Sequence, residues 1–237
     1  WDYPETMYWG RVKVHEWGGF STSQMRKDIE SGKFTGWSDP RLPTIAGLSG
    51  TGIQAEALRN FWVELGVTQK DISVPLSSLY SHNTKIIDDN APRISFIRDP
   101  VLLEISGNAK NSVEIPTHPN FPAMGNRKIS LKSQQVLIES TDYVDNKLRL
   151  KEFADFDISE KSAKFVSQER SDARKIIHWA SVDSSSNSTL KMVTDGEIIE
   201  IEGVIEHHNL SKGDIVQIER IGYGVIGEDN NIIFTHD

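Results

Sequence analysis

The sequence predicts an α+β protein in which a helical first part gives way near Pro92 to a β part. Two observations carry this. Before Pro92, apolar residues recur at helical spacing inside segments bounded by glycine and proline. After it, short β-branched runs follow one another between Gly, Asn, Asp and Pro turns, with no helical segment among them. Many short strands without intervening helices suggest barrels or sandwiches.

The elements follow in order. Ser21-Thr22-Ser23 opens a short amphipathic helix, with Gly18 and Gly19 just upstream to let the turn move. Those hydroxyls read as an ordinary N-cap or, because a helix start presents free N–H groups and a positive dipole end, as an anion site. Gln54 to Leu65 places Ala57, Leu58, Phe61, Trp62 and Leu65 on one side and stops at Gly66, a suitable C-terminal glycine. Leu76 to Asp89 forms a further helix with Leu79, Asn83, Ile86 and Ile87 facing one way and Pro92 just beyond. Strands are then expected at Val101–Ile105, Lys128–Leu131, Gln135–Ile138, Ile198–Ile205 and Asp214–Ile218. Gly227 to Asn231 connects a hairpin into Ile232-Ile233-Phe234, and the low-complexity run Ser184 to Ser188 reads as an exposed loop. No internal repeat of fixed period is present.

Composition excludes several classes. With no cysteine among 237 residues there is neither a disulfide framework nor a thiolate metal site, and an intracellular, cytoplasmic setting is expected. His207 and His208 are adjacent, hence on opposite faces of a strand, so no metal site is expected. No apolar run approaches the roughly 18 residues of a membrane span, and no signal-peptide pattern occurs. The net charge of −8 argues against a simple basic nucleic-acid binder. Its distribution is uneven: residues 1–175 carry 23 Lys+Arg and 23 Asp+Glu, while residues 176–237 carry 3 against 11 and so account for the whole −8. Within the balanced part, Arg127, Lys128, Lys132, Lys147, Arg149 and Lys151 make a locally basic stretch able to meet phosphate. Glu197, Glu200, Glu202 and Glu206 read as the solvated face of an acidic strand. The opening WDYPETMYWGRVKV, without an initiator Met, reads as part of a longer polypeptide.

Several pieces in a fixed order resemble one known family. Trp9-Gly10-Arg11-Val12-Lys13, then Phe20-Ser21-Thr22-Ser23-Gln24-Met25-Arg26-Lys27, then Gly36-Trp37-Ser38-Asp39-Pro40-Arg41-Leu42-Pro43-Thr44 are similar to the end of the catalytic domain in class I glutamyl-tRNA synthetases of the archaeal and eukaryotic kind. Thr117-His118-Pro119 through Gly125-Asn126-Arg127-Lys128, Leu148-Arg149-Leu150-Lys151, Ile177-His178-Trp179 and Gly213 to Tyr223 resemble segments of the anticodon-binding barrels of glutamyl- and glutaminyl-tRNA synthetases. The resemblance covers essentially the whole chain. The Pro43-Thr44 step, where glutaminyl enzymes tend to have Phe-Thr, favours the glutamyl side.

The resemblance implies a short tail of the class I catalytic domain (1–35), a small helical connector touching the tRNA stem (36–92), and two mainly antiparallel β-barrels that bind the anticodon (93–237). It implies tRNA(Glu) as partner, ATP with Mg2+ as the cofactor of the full-length enzyme with none bound by this part alone, and glutamate and ATP engaged through the other half. It makes Ser21, Thr22 and Ser23 the remnant of the ATP-handling loop. The loop's second lysine falls on Thr22, so the cation that would stabilise departing pyrophosphate is absent; Arg26 or Lys27 one turn along is the candidate substitute. Gly47-Leu48-Ser49-Gly50-Thr51-Gly52 stands where the family has consecutive arginines, so phosphate contact there would rest on N–H groups and hydroxyls. For the RNA itself, Arg41, Arg127, Arg149, Lys151, Gln217 and Arg220 are the expected contacts, the last two on a surface strand, because unstacked bases need donors to their pairing edges. Trp179 reads as core rather than stacking platform and His178 as structural. The C-terminal region of a glutaminyl-tRNA synthetase stays open as the alternative within the resemblance, and so do two other functional classes: a free-standing, non-enzymatic tRNA-binding module, and a β-barrel protein-interaction domain favoured by the acidic end.

Overall fold

In the computed structural model, which describes residues 1–143, 147–171 and 173–237, the chain divides into two compact units, residues 1–90 and 91–237.

The first unit runs β1 (Val12–Val14), α1 (Thr22–Glu30), α2 (Ile45–Gly50), α3 (Ala55–Leu65), β2 (Ile72–Val74) and α4 (Leu76–Ile87). β1 and β2 pair in parallel, Val12 opposite Ile72. Gly10 approaches the neighbouring chain so closely that a Cβ would lie 2.1 Å from the Lys70 carbonyl oxygen, which only glycine permits. Ile53, Phe61 of α3 and Leu79 of α4 form the core. Asn83 sits in the apolar stripe of α4 because it is a tie: Gln54 N donates to its Oδ1 (2.8 Å), and its Nδ2 donates to the Gly52 carbonyl (3.3 Å), satisfying the start of α3. Gly66, at φ 65°, ends α3. Trp62 departs from the helical stripe expected of it and is 44% exposed. Phe61 occupies the seam against Leu79, which turns Trp62, one position round the helix, onto the flank.

The second unit contains β3 (Arg93–Ile94), β4 (Phe96–Arg98), β5 (Pro100–Ser106), β6 (Ser112–Pro116), β7 (Asn126–Ser130), β8 (Gln135–Glu139), β9 (Lys147–Leu150), β10 (Ala154–Ser159), β11 (Ser162–Ser167), β12 (Lys175–Ile177), β13 (Ala180–Ser181), β14 (Ser185–Thr194), β15 (Glu197–Glu206), β16 (Ile215–Ile218), β17 (Gly222–Ile226) and β18 (Ile232–His236). They build two mainly antiparallel, barrel-like sheets, ordered β12-β9-β10-β11-β5-β8-β13 and β3-β16-β17-β18-β14-β15-β4, with the hairpin β6–β7 beside them. The hairpin lays Val113, Ile115 and Ile129 onto the core of the first sheet, which also holds Leu148, Leu150, Phe156 and Trp179. The second core centres on Ile94, Phe96, Leu190, Ile205, Val216 and Ile232.

The two sheets are interleaved in sequence. β3 and β4 open the unit, yet they form the two outer strands of the second sheet, pairing with β16 and β15. The chain then builds the first sheet and returns for β14–β18. Gly203 makes this return possible: β15 lies so close to β4 that a Cβ would meet the Ile97 carbonyl oxygen at 2.5 Å.

Two sequence expectations are corrected here. Ser184 to Ser188 is not a loop: from Ser185 it is the start of β14, paired with β15 from Glu206 backwards. Small hydroxyl residues suit this position, because Ser188 is buried and donates to the Asn230 carbonyl (2.7 Å). Glu206 does not share the solvated face of Glu197, Glu200 and Glu202; it is buried where β15 ends against Ser95.

Candidate nucleic-acid interface

In the first unit, the Ser-Thr-Ser turn is a helix cap: Gln24 N donates to Ser21 Oγ (3.1 Å) at the start of α1. Thr22 and Ser23 are exposed. Arg26 and Lys27 are also exposed and, among the described residues, carry no ion pair. A triphosphate needs a cation at such a loop, and residues 21–23 hold none, so the loop alone does not fit ATP. Gly18, Gly19 and Phe20 border an open, largely apolar groove of about 1110 Å³ that also meets Arg11 and Lys13. In the run 47–52, the Thr51 hydroxyl is taken by the Leu48 carbonyl (3.0 Å) as α2 closes.

Arg41 is held as a fork. Its Nε and Nη2 donate to the two oxygens of Asp39 (2.9 and 2.8 Å), and Nη2 also donates to the Lys33 carbonyl (2.9 Å). The guanidinium lies 4.8 Å over the Phe34 ring. Asp39 is fully buried. Burial would raise its pKa, but Arg41 and the backbone N–H groups of Thr35 and Arg41 outweigh that and hold the carboxyl well below its ordinary value.

In the second unit, charged side chains gather along the seam between the two sheets. One cluster joins Arg127 of β7, Lys151 just after β9, Glu206 at the end of β15 and Glu219 just after β16. Lys151 Nζ donates to Glu219 (2.7 Å), and Arg127 Nη2 lies 3.6 Å from the same carboxylate. Arg127 Nε is 2.6 Å from Glu206, while its Nη1 donates to the Arg93 and Pro116 carbonyls. Burial dominates at Glu206: it lifts the carboxyl to a pKa of about 7, with Glu219 adding repulsion and Arg127 and the Ser95 backbone pulling the other way.

The second cluster is a chain of contacts: Arg98, Glu139, His178, Arg220, Asp142 and Lys175. Arg98 of β4 forks onto Glu139 of β8 (2.7 and 3.2 Å). His178, between β12 and β13, places Nε2 3.7 Å from Glu139 and 3.2 Å from the Phe96 carbonyl. Arg220 grips Asp142 end-on (2.5 and 3.2 Å) and reaches His178 Nδ1 (3.2 Å). Lys175 Nζ is 3.2 Å from Asp142 as well. Burial would raise the Asp142 pKa, but Arg220 and Lys175 prevail and lower it. His178 is pushed below its ordinary value by burial and by Arg220, against the pull of Glu139. With three cations and two carboxylates around a neutral imidazole, this cluster is locally positive in a chain of net charge −8.

The expected RNA contacts are therefore distributed as follows. Arg127 and Lys151 converge on Glu219, and Arg220 stands in the adjoining cluster. Arg149 lies apart, bound to Asp155 (2.6 Å) and the Gln168 carbonyl (3.2 Å). Gln217 is half-buried in β16 opposite Tyr223. Arg220 is not on a strand: it occupies the turn from β16 to β17 at φ 63°. Trp179 is core, 2% exposed, with Nε1 donating to the Lys151 carbonyl (3.0 Å). Sequence reading missed Arg98, Glu139, Asp142, Glu206 and Glu219. Their partners lie far away along the chain, as in Arg98–Glu139 (41 residues apart) and Arg220–Asp142 (78 residues apart), and no local period reports such pairs.

Comparison with known proteins matches residues 91–174 to the model of the anticodon-binding domain of class I tRNA synthetases (E and Q). Over its whole length the chain is 40% identical to a glutamate–tRNA ligase of Methanosarcina mazei, covering 43% of that protein. It is 42% identical over 94% of its length to that of Methanosarcina acetivorans, covering 40% of it. It is 35% identical over its whole length to that of Pyrococcus abyssi, covering 44%. The chain thus spans about two fifths of the length of the relatives it matches.

Proposed function

We propose that the chain, whose residues 91–174 match the anticodon-binding domain of class I tRNA synthetases (E and Q), is the C-terminal, tRNA-binding part of a glutamate–tRNA ligase. The observation that carries this is similarity along all 237 residues to proteins of that one name, with the anticodon-binding match falling on the stretch that supplies Arg127, Arg149 and Lys151. In this reading the parent enzyme uses ATP with Mg2+ to activate glutamate and attaches it to tRNA(Glu). The chemistry of activation belongs to the part of the relatives that this chain does not span. Residues 1–35 form the end of the catalytic domain, 36–92 a connector to the tRNA stem, and 93–237 the anticodon-binding region. No described helix is long and apolar enough to cross a membrane, and the working compartment in this reading is the cytoplasm.

The two sheets support the RNA role by what they bring together. A loop of single-stranded RNA is recognised by donors to base edges and phosphates. The seam collects cations from both sheets around carboxylates that fix their direction. Arg41, Arg127, Arg149, Lys151, Gln217 and Arg220 are the proposed contacts. The test is a gel shift of the 237-residue chain with a tRNA(Glu) transcript and its anticodon variants, alongside an aminoacylation assay. Binding that is salt-sensitive and weakened by anticodon changes, with no aminoacylation, is the expected result. Charging by the chain alone, or binding indifferent to the anticodon, would overturn it.

A further inference from the structure

We infer that Asp142 and His178 are positioning residues that hold Arg220 with one free pair of N–H groups directed outward, ready for a ligand that presents two neighbouring acceptors. The inference rests on the proposed RNA-binding reading and adds how one of its contacts is aimed.

The argument is a count of hydrogens. A guanidinium has five N–H donors and no acceptor. Asp142 takes one hydrogen from each terminal nitrogen of Arg220, end-on, at 2.5 and 3.2 Å. The second hydrogen of Nη1 faces His178 Nδ1 at 3.2 Å. Because Arg220 can only donate, Nδ1 must be the unprotonated, accepting nitrogen of the ring. The ring proton then sits on Nε2, where it donates to the Phe96 carbonyl (3.2 Å). A neutral imidazole in one tautomer satisfies both contacts. The lowered pKa of His178 agrees with this state. Among the described residues, what remains on Arg220 without a partner is Nε–H and the outer Nη2–H, which lie parallel on one side of the planar group. The side chain is 40% exposed, which leaves room for a ligand to reach it.

The orientation is built by the meeting of the sheets. Arg220 comes from the turn after β16 of the second sheet, and its φ of 63° is a conformation that non-glycine residues rarely adopt. Asp142 and His178 come from the connections that follow β8 and β12 of the first sheet, 1% and 2% exposed. Neither sheet alone would fix the guanidinium. A parallel N–H pair matches the two oxygens of a phosphate or the paired acceptors of a base edge, and this is the arrangement arginine uses for both. Lys175 beside it adds positive charge.

Charged groups facing His178 come from three places: Glu139 of β8, Arg220 and Glu219 after β16, and Arg98 of β4 through its fork on Glu139. A second ring proton would have to sit on Nδ1, against a donor. Protonation therefore breaks the Arg220–His178 contact.

The test measures binding of the 237-residue chain to a tRNA(Glu) transcript. Arg220→Ala is expected to weaken binding about tenfold. Asp142→Asn is expected to weaken it similarly, and to add nothing once Arg220 is already alanine. His178→Gln, which carries an acceptor and a donor group and does not titrate, is expected to keep the affinity at pH 7 and to lose less of it than the native chain on acidification. Thermal melts confirm that each variant is folded. If Arg220→Ala has no effect while the chain binds, Arg220 is not an RNA contact and the proposed function is corrected there. If Arg220→Ala weakens binding but Asp142→Asn does not, or if their effects simply add, the positioning inference fails. If Asp142→Asn does not fold, the His178→Gln pH profile decides alone, and a profile identical to the native one overturns the inference. A salt slope reduced by about one in Arg220→Ala assigns the pair to a phosphate. An unchanged slope with lost discrimination among loop sequences assigns it to a base.

Discussion

Replacing Glu206 by glutamine should make the fold more stable at neutral pH, although it removes a charge facing an arginine. Glu206 is 2% exposed, and burial raises its pKa from 4.5 to about 7 despite Arg127 at 2.6 Å. Between those values the folded protein retains a proton that the unfolded chain has released. Stability therefore falls as pH rises through this window, the reverse of a carboxylate whose pKa is lowered on folding. At about 1.4 kcal/mol per pH unit, the window corresponds to about 3 kcal/mol. Glutamine has no proton to lose and keeps an acceptor toward Arg127. The expected outcome is that the stability of Glu206→Gln relative to the native chain grows by about 3 kcal/mol from pH 4.5 to pH 7.5. Urea unfolding across that range measures it. Since the chain has two compact units, amide hydrogen exchange in β15 and β16 isolates the one concerned. Parallel pH curves for the two proteins, or a gap that widens toward acid, would refute the reasoning.

Other expectations follow from the same geometry. In the Glu206→Gln background, stability should decline as pH drops below about 6.5, because the unfolded chain protonates His178, His208 and His236, all lowered by burial, before the folded one does; His178→Gln should reduce that slope and leave the share of the other two. Trp179→Ala should cost about 3–5 kcal/mol, since it empties a site packed against Phe153 and frees the Lys151 carbonyl; a loss under 1 kcal/mol by denaturant unfolding would contradict this. Gly203→Ala should destabilise by about 1–3 kcal/mol by forcing β4 from β15, read as faster exchange of the β4 and β15 amides. Arg41→Ala should cost about 3 kcal/mol by leaving Asp39 buried without its cation, and should move the acid unfolding of residues 1–90 to higher pH.

The sheets and the seam differ in how far the sequence reveals them. Gln54 to Leu65 and Leu76 to Asp89 were legible as helices because amphipathic spacing and terminal glycine or proline are local signals, and the structure places α3 and α4 there. Val101–Ile105, Gln135–Ile138 and Ile198–Ile205 were legible as strands for the same reason. Ser184 to Ser188 was not, since its strand character comes from pairing with β15, a partner named by no residue in the run. Trp62 misled because two aromatic neighbours compete for one seam and only packing against Leu79 chooses between them.

By itself the sequence determined the order of helical and β parts, the β-rich character of the second, the absence of thiol chemistry and the set of motifs that carry the family resemblance. These are properties of composition and of spacing within a few residues. The tertiary structure decided that β3 and β4, at the start of the second unit, complete the sheet that ends it. It also decided which carboxylate holds each cation, that Glu206 is buried rather than solvated, and that Arg220 turns one open N–H pair outward. The physical reason is that burial and ion pairing depend on distances between residues far apart along the chain, and the closure of two sheets against each other sets those distances.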